Sequence, residues 1–178
     1  IDKNLVEYVN FKKGPGYPFM YMLDKILTIS KEDDIVYFLE NDYLHKPNSD
    51  TVLQEGIELG ADYITLYDHP DKYLNPDQGG NPYIEDGGEI TKVHLTNNCH
   101  WKLTNSTTGT FASTIKTLKE DYEIIKKYAN NEYWSDFSMF IELREKNKTL
   151  LSPIPGYATH GEIAYLSPLT DWSKVWSQ

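Results

Sequence analysis

Cysteine occurs once in these 178 residues, at Cys99, so no disulfide can close within the chain, and no cysteine and histidine grouping has zinc-site spacing. A reducing compartment, the cytoplasm, is the expectation that follows. Arginine also occurs once, at Arg144. The planar fork that grips a phosphate through two parallel hydrogen bonds is thus nearly absent, and a charged ligand must be neutralised by lysine or by a metal. Positive charge is scarce in general. Seventeen basic residues face 27 acidic ones, a formal net charge of -10, which argues against a nucleic-acid backbone or an anionic membrane as partner. No apolar run approaches the roughly 18 to 20 residues that span a bilayer, so no transmembrane segment is expected, nor a signal peptide ahead of the first element. An initiator methionine is lacking too. Because residues 5–9 are strand-like, the chain reads as a trimmed or partly ordered piece of a longer polypeptide. The two sequons, at Asn105 and Asn147, read as chance.

What is present supports one folded domain over residues 1–178, since 39% hydrophobic and 13% aromatic content suffices to fill a core. Phe19, Met22, Leu23, Ile26 and Leu27 recur at helical spacing and predict a helix over 17–30. The Gly14-Pro15-Gly16 turn before it reads equally as a close approach to a ligand and as a plain loop. Residues 35–42, IVYFLEND, carry the strongest signal: a buried strand that runs into two carboxylates, Glu40 and Asp42. Acidic groups at such a strand end sit where open α/β sheets bind ligands, and this pair has the spacing to hold a divalent cation.

Pro47-Asn48-Ser49 opens a second predicted helix through Leu59, and 61–67 reads as the next strand, so helix and strand alternate as in an α/β fold. Residues 68–90 lack apolar periodicity and carry His69-Pro70, Pro76, Gly79-Gly80, Pro82 and Gly87-Gly88, an irregular loop or flap. Strands over 90–95 and 100–103 suit a β-hairpin. A small-residue loop, 105–109, then leads into a helix with Phe111, Ile115, Leu118, Tyr122, Ile125 and Ala129 on one face. Its Glu120-Asp121 pair reads as surface charge. Another helix begins near Ser135-Asp136, and Pro153 and Pro155 bracket an extended segment that ends at His160-Gly161. The tail, with Trp172 and Trp176 four apart, reads as a short amphipathic helix packed back on the domain.

This succession resembles the family 2 glycosyltransferases of the GT-A fold. In order along the chain come a glycine turn, a helix, an apolar strand with the triplet Glu40-Asn41-Asp42, the loop Thr108-Gly109-Thr110-Phe111, a helix opening at Ser135-Asp136, Pro153, and His160-Gly161-Glu162. The family's triplet begins with Asp where this chain has Glu40, and its Glu-Asp pair is Ser135-Asp136 here, so the first acid is lost. The likeness covers roughly residues 10–162, and the family's first strand and base-binding loop have no counterpart. The resemblance implies a GT-A-like (Rossmann-like) α/β fold, a mixed sheet flanked by helices.

It also implies an activity: inverting transfer of a sugar from a nucleotide-sugar donor, UDP- or GDP-linked, to the hydroxyl of a glycan or other acceptor, with Mn²⁺ or Mg²⁺. Asp42, Glu40 and His160 are the expected metal ligands, Asp136 the general base, and Gly109 part of the substrate loop. Competing readings stand beside these. Asp42 reads otherwise as a turn cap, Glu40 as a surface residue at a strand end, Asp136 as a helix N-cap, and His160 as a hydrogen-bonded structural group. Trp101 beside His100, and Trp134 beside Asp136, are read either as core or as flat faces on which a sugar ring stacks. Two other functions remain in view: a catalytically silent remnant that binds carbohydrate or a protein partner, and a metal-dependent hydrolase built on the same carboxylates.

Overall fold

The computed structural model describes residues 6–12, 14–83, 91–129 and 134–177. Leu5, Ile90 and residues 84–90 of the irregular segment lie outside the described residues, and residues 6–12 form no regular element.

Six strands build one mixed sheet in the order β1 (Ile35–Phe38), β6 (Phe111–Thr114), β3 (Tyr63–Ile64), β7 (Leu150–Ile154), β5 (His100–Leu103), β4 (His94–Leu95). Only β3 and β7 run parallel; every other neighbouring pair is antiparallel. A two-stranded ladder, β2 (Tyr43–His45) against β8 (Ala158–His160), stands beside it, joined through a parallel bridge between Tyr67 and Ala158. The helices are α1 (Gly16–Ile29), α2 (Ser49–Glu58), α3 (Ile115–Glu120), α4 (Tyr122–Ala129), α5 (Asp136–Glu145) and α6 (Trp172–Trp176). The chain is therefore α/β, a six-stranded mixed sheet flanked by helices.

Both faces of the sheet are covered, and the strands show it residue by residue. Tyr63 and Leu150 face one core with Phe19, Leu23, Phe111, Ile125 and Phe140, under α1, α3, α4 and α5. Their immediate successors Ile64 and Leu151 face the other, with Val52, Leu66 and Trp101. Successive side chains of a strand point to opposite faces, so a strand buried on both sides is apolar throughout rather than alternating. On the second face α2 crosses directly over the Trp101 indole: a Cβ on Gly56 would come within 2.6 Å of the ring. Close packing of helix on sheet requires a glycine at that point.

The predicted helices over 17–30 and 49–59 and the hairpin of β4 and β5 are observed, as is the burial of Trp172 in the tail helix. Two expectations are corrected here. Residues 111–114 are not the first turn of a helix but the central strand β6, and the helix begins at Ile115. Phe111 to Ser113 are buried between β1 and β3, where sheet pairing outweighs helical spacing. Thr114 ends the strand as an N-cap, its hydroxyl accepting from the Thr117 amide. The helical stripe also breaks once, at Asp121, whose carboxylate accepts a hydrogen bond from the buried Tyr63 hydroxyl at 2.7 Å. Asp121 is thus an interior anchor and not surface charge.

Candidate functional site

The carboxyl end of β1 leads into a turn that carries Glu40 and Asp42, and the next strand, β2, fixes where that turn lies. Its register sets Tyr43 opposite His160, so the residues just outside the ladder also meet. The Gly161 amide donates to the Asp42 carbonyl at 2.7 Å, and His160 Nε2 lies 3.2 Å from Asp42 Oδ2. His160 Nδ1 accepts from the Glu162 amide at 3.2 Å. The proton is therefore on Nε2, the nitrogen that faces Asp42.

The loop over 105–109 closes the other side. Thr107 is fully buried, Thr108 and Gly109 have positive φ of 49° and 79°, and the Tyr43 hydroxyl donates to the Thr108 carbonyl at 3.0 Å. Glu40 lies against this loop: its amide donates to Thr110 Oγ1 at 3.3 Å, and a Cβ on Gly109 would stand 2.6 Å from Glu40 Oε1. Gly109 is favoured by its left-handed backbone, and a side chain there would displace the Glu40 carboxylate packed on its Cα.

Asp136 reaches the same loop from the start of α5. It is not the helix cap, because Ser135 takes that place, with its hydroxyl accepting from the Ser138 amide. Asp136 instead accepts, on Oδ2, both the amide and the hydroxyl of Thr107, at 2.9 and 3.1 Å. Glu40, Asp42, Gly109, Asp136 and His160 are thus brought into one neighbourhood from four segments. Glu40 registers the crowding: burial first, then the negative charges of Asp42 and Asp136, push its carboxyl above the ordinary range, with His160 opposing.

That shift has a consequence for stability. A carboxyl raised by folding favours the fold while protonated, and the benefit is lost as pH rises through the raised value. Glu40→Gln, which stays neutral, is expected to melt higher than the parent protein at pH 7, with the difference vanishing near about pH 4. Thermal melts across that range check it, and a difference independent of pH would refute the assignment.

Trp134 also belongs here. Its ring packs on Phe19 with centroids 4.1 Å apart, and it lines a cavity of about 170 Å³ together with Pro15, Leu39, Glu40 and Gly109. A larger apolar groove of about 540 Å³ over α1 and the edge of β1 shares Pro18, Met22, Phe38 and Leu39 with it. Trp101 and His100 do not join them. Trp101 is wholly buried, with its indole N–H on Thr96 Oγ1, so it offers no face to a sugar; burying so large a ring stabilises the fold by about 4–6 kcal/mol. His100 is exposed on β5, four strand positions from β1, roughly 19 Å across the sheet.

As metal ligands the expected residues fit in part. Among the described residues no three histidine, cysteine or carboxylate side chains gather closely enough to hold an ion. His160 Nδ1 is taken by the Glu162 amide while Nε2 faces Asp42, and Glu40 is turned onto Gly109. The Asp42 carboxylate is half exposed and is the available oxygen ligand of the set.

Sequence reasoning missed the residues that hold this arrangement together. Lys72, fully buried, donates to Asn105 Oδ1 at 2.6 Å and Ser106 Oγ at 3.0 Å, and Asn81 and Asn105 exchange amide hydrogen bonds. Residues 68–83, which contain two single 3₁₀ turns, are thereby fastened to the 105–109 loop. The Asn105 amide is consumed in that network, in keeping with a chance sequon. No protein-family model matches this chain, and no curated protein matches it.

Proposed function

We propose that this domain is a GT-A-like glycosyltransferase that moves a sugar from a UDP- or GDP-linked donor to an acceptor hydroxyl with inversion. The observation that carries the reading is the meeting of Glu40, Asp42, Asp136 and His160, distant in sequence, around the loop that holds Thr107 and Gly109. Asp136 is the general base. Its Oδ2 is held by Thr107, which fixes the carboxylate and directs its other oxygen to receive the proton of the attacking hydroxyl. His160, with Nε2 3.2 Å from Asp42 Oδ2, stands beside that carboxylate. Asp42 supplies the protein's share of a Mn²⁺ or Mg²⁺ site, with Glu40 acting through water, and the cation when bound offsets the charge that develops on the departing diphosphate. Glu40, Gly109 and Trp134 line the neighbouring cavity as substrate-binding residues.

The test is release of UDP or GDP from a panel of nucleotide sugars, with Mn²⁺ and with chelator. Metal-dependent release that Asp42→Asn removes is expected. A folded protein that neither binds nor cleaves any donor would end this reading in favour of a silent carbohydrate-binding domain, and cleavage without any response to an acceptor would favour a hydrolase.

A further inference from the structure

Beside the Asp42 and His160 pair, five aromatic side chains close into a ring. Tyr43 meets Tyr67 at 5.4 Å between centroids, Tyr67 meets His69 at 5.2 Å, His69 meets Tyr165 at 5.8 Å, Tyr165 meets His160 at 5.7 Å, and His160 returns to Tyr43 at 5.5 Å. Four of the five are mostly covered. Tyr165 is the exception at 44% exposure, yet it is not loose. Its carbonyl accepts from the Tyr67 hydroxyl at 2.6 Å, its amide donates to the Glu162 carbonyl at 2.9 Å, and its ring is flanked by two imidazoles.

An exposed aromatic ring already fixed in position loses little freedom when a ligand settles on it. The C–H face of a pyranose is such a ligand, and the carboxylate of Asp42, half exposed and one imidazole away, accepts hydrogen bonds from sugar hydroxyls. The surroundings are acidic, with Glu40, Asp42 and Glu162 close by and a chain charge of -10, so an anionic sugar is repelled.

We infer that Tyr165 is the stacking platform of a saccharide subsite for a neutral hexopyranose, the acceptor in the glycosyl-transfer reading on which that role rests. Tyr67, His69 and Tyr43 act as positioning residues that hold the platform toward His160 and Asp42. Tyr43 and Tyr67 belong to the subsite's ring, whereas the Glu40 carboxylate packs on Gly109 and lines the cavity with Trp134.

The probes are methyl gluco-, galacto- and mannopyranosides, with methyl glucuronide as the anionic control, read by ¹³C-labelled tyrosine signals in NMR and by saturation transfer. At least one neutral glycoside is expected to move the Tyr165 signal, and the glucuronide is not. Tyr165→Ala is expected to weaken that binding about tenfold, while Tyr165→Phe, which keeps the ring, stays within about threefold. Should the alanine variant fail to fold, the tyrosine signal of the intact protein and the phenylalanine variant still decide. If no neutral glycoside moves the Tyr165 signal, or if alanine binds as well as tyrosine, the subsite is refuted. Donor cleavage without acceptor, measured on the same samples, separates the two claims. Donor cleavage that responds to an acceptor, without saccharide binding at Tyr165, removes the subsite and keeps the transferase. Tyr165-dependent saccharide binding without donor binding or cleavage keeps the subsite and removes the transferase.

Discussion

Asp136→Asn is expected to lower glycosyl transfer by about two to four orders of magnitude while the melting temperature stays close to that of the parent protein. The separation follows from the two oxygens of Asp136. Oδ2 accepts the amide and hydroxyl of Thr107, and an asparagine oxygen serves that purpose nearly as well. The other position becomes an amide, which cannot take a proton from an attacking hydroxyl. Asp136→Ala removes both functions. It leaves the buried Thr107 amide without its carboxylate and is expected to cost about 2 kcal/mol of stability, about 4–8 °C in Tm for a chain of this size. Turnover with saturating donor and acceptor, set beside thermal melts of the two variants, checks the claim. An asparagine variant with near-normal turnover would leave Asp136 as a loop anchor only.

The parts of this fold legible from sequence are those set by local pattern. The apolar stripe of α1 and the run into Glu40 each encode their element within a few residues. Phe111, Ile115 and Leu118 fit a helical face, yet residues 111–114 form β6, because that strand is made by two others it meets far along the chain, β1 and β3. At the site, residue types chosen for their chemistry were brought near one another, but their working partners were not visible. That Asp136 holds Thr107, and that His160 turns Nε2 toward Asp42, depends on contacts between segments far apart in the chain. Trp101 shows the opposite limit: a tryptophan on a short strand is equally a core or a binding residue until the helix above it, with its glycine at Gly56, is known. The aromatic ring around Tyr165 had no sequence signal at all, since its members fall at 43, 67, 69, 160 and 165 with no common period.

Lys102→Met is expected to destabilise the protein by about 3–5 kcal/mol at neutral pH, through Asp68. Asp68 is fully buried; its Oδ2 accepts from the Tyr73 hydroxyl at 2.6 Å, while Oδ1 has no hydrogen bond and faces the Lys102 ammonium at 3.5 Å. Burial raises the Asp68 carboxyl above its ordinary range, and the lysine charge and the tyrosine hydroxyl hold it back. Without the lysine it rises further. A carboxyl raised on folding stabilises the fold while protonated and loses that contribution as pH climbs through the raised value, so the variant's deficit is full at pH 7 and shrinks on acidification. Lys102→Met combined with Asp68→Asn removes charge from both partners and is expected to recover most of the loss, as uncharged replacements of buried ion pairs do. Denaturant titrations of the single and double variants at two pH values check both statements, and a deficit equal at acid and neutral pH would sink the electrostatic account. The pair matters beyond stability, because Asp68 stands between Tyr67 and His69 and its backbone is tied to Ser167. A charge left bare there acts on the two rings that hold Tyr165 in place, so saccharide binding is expected to weaken with the fold's stability and to return in the double variant.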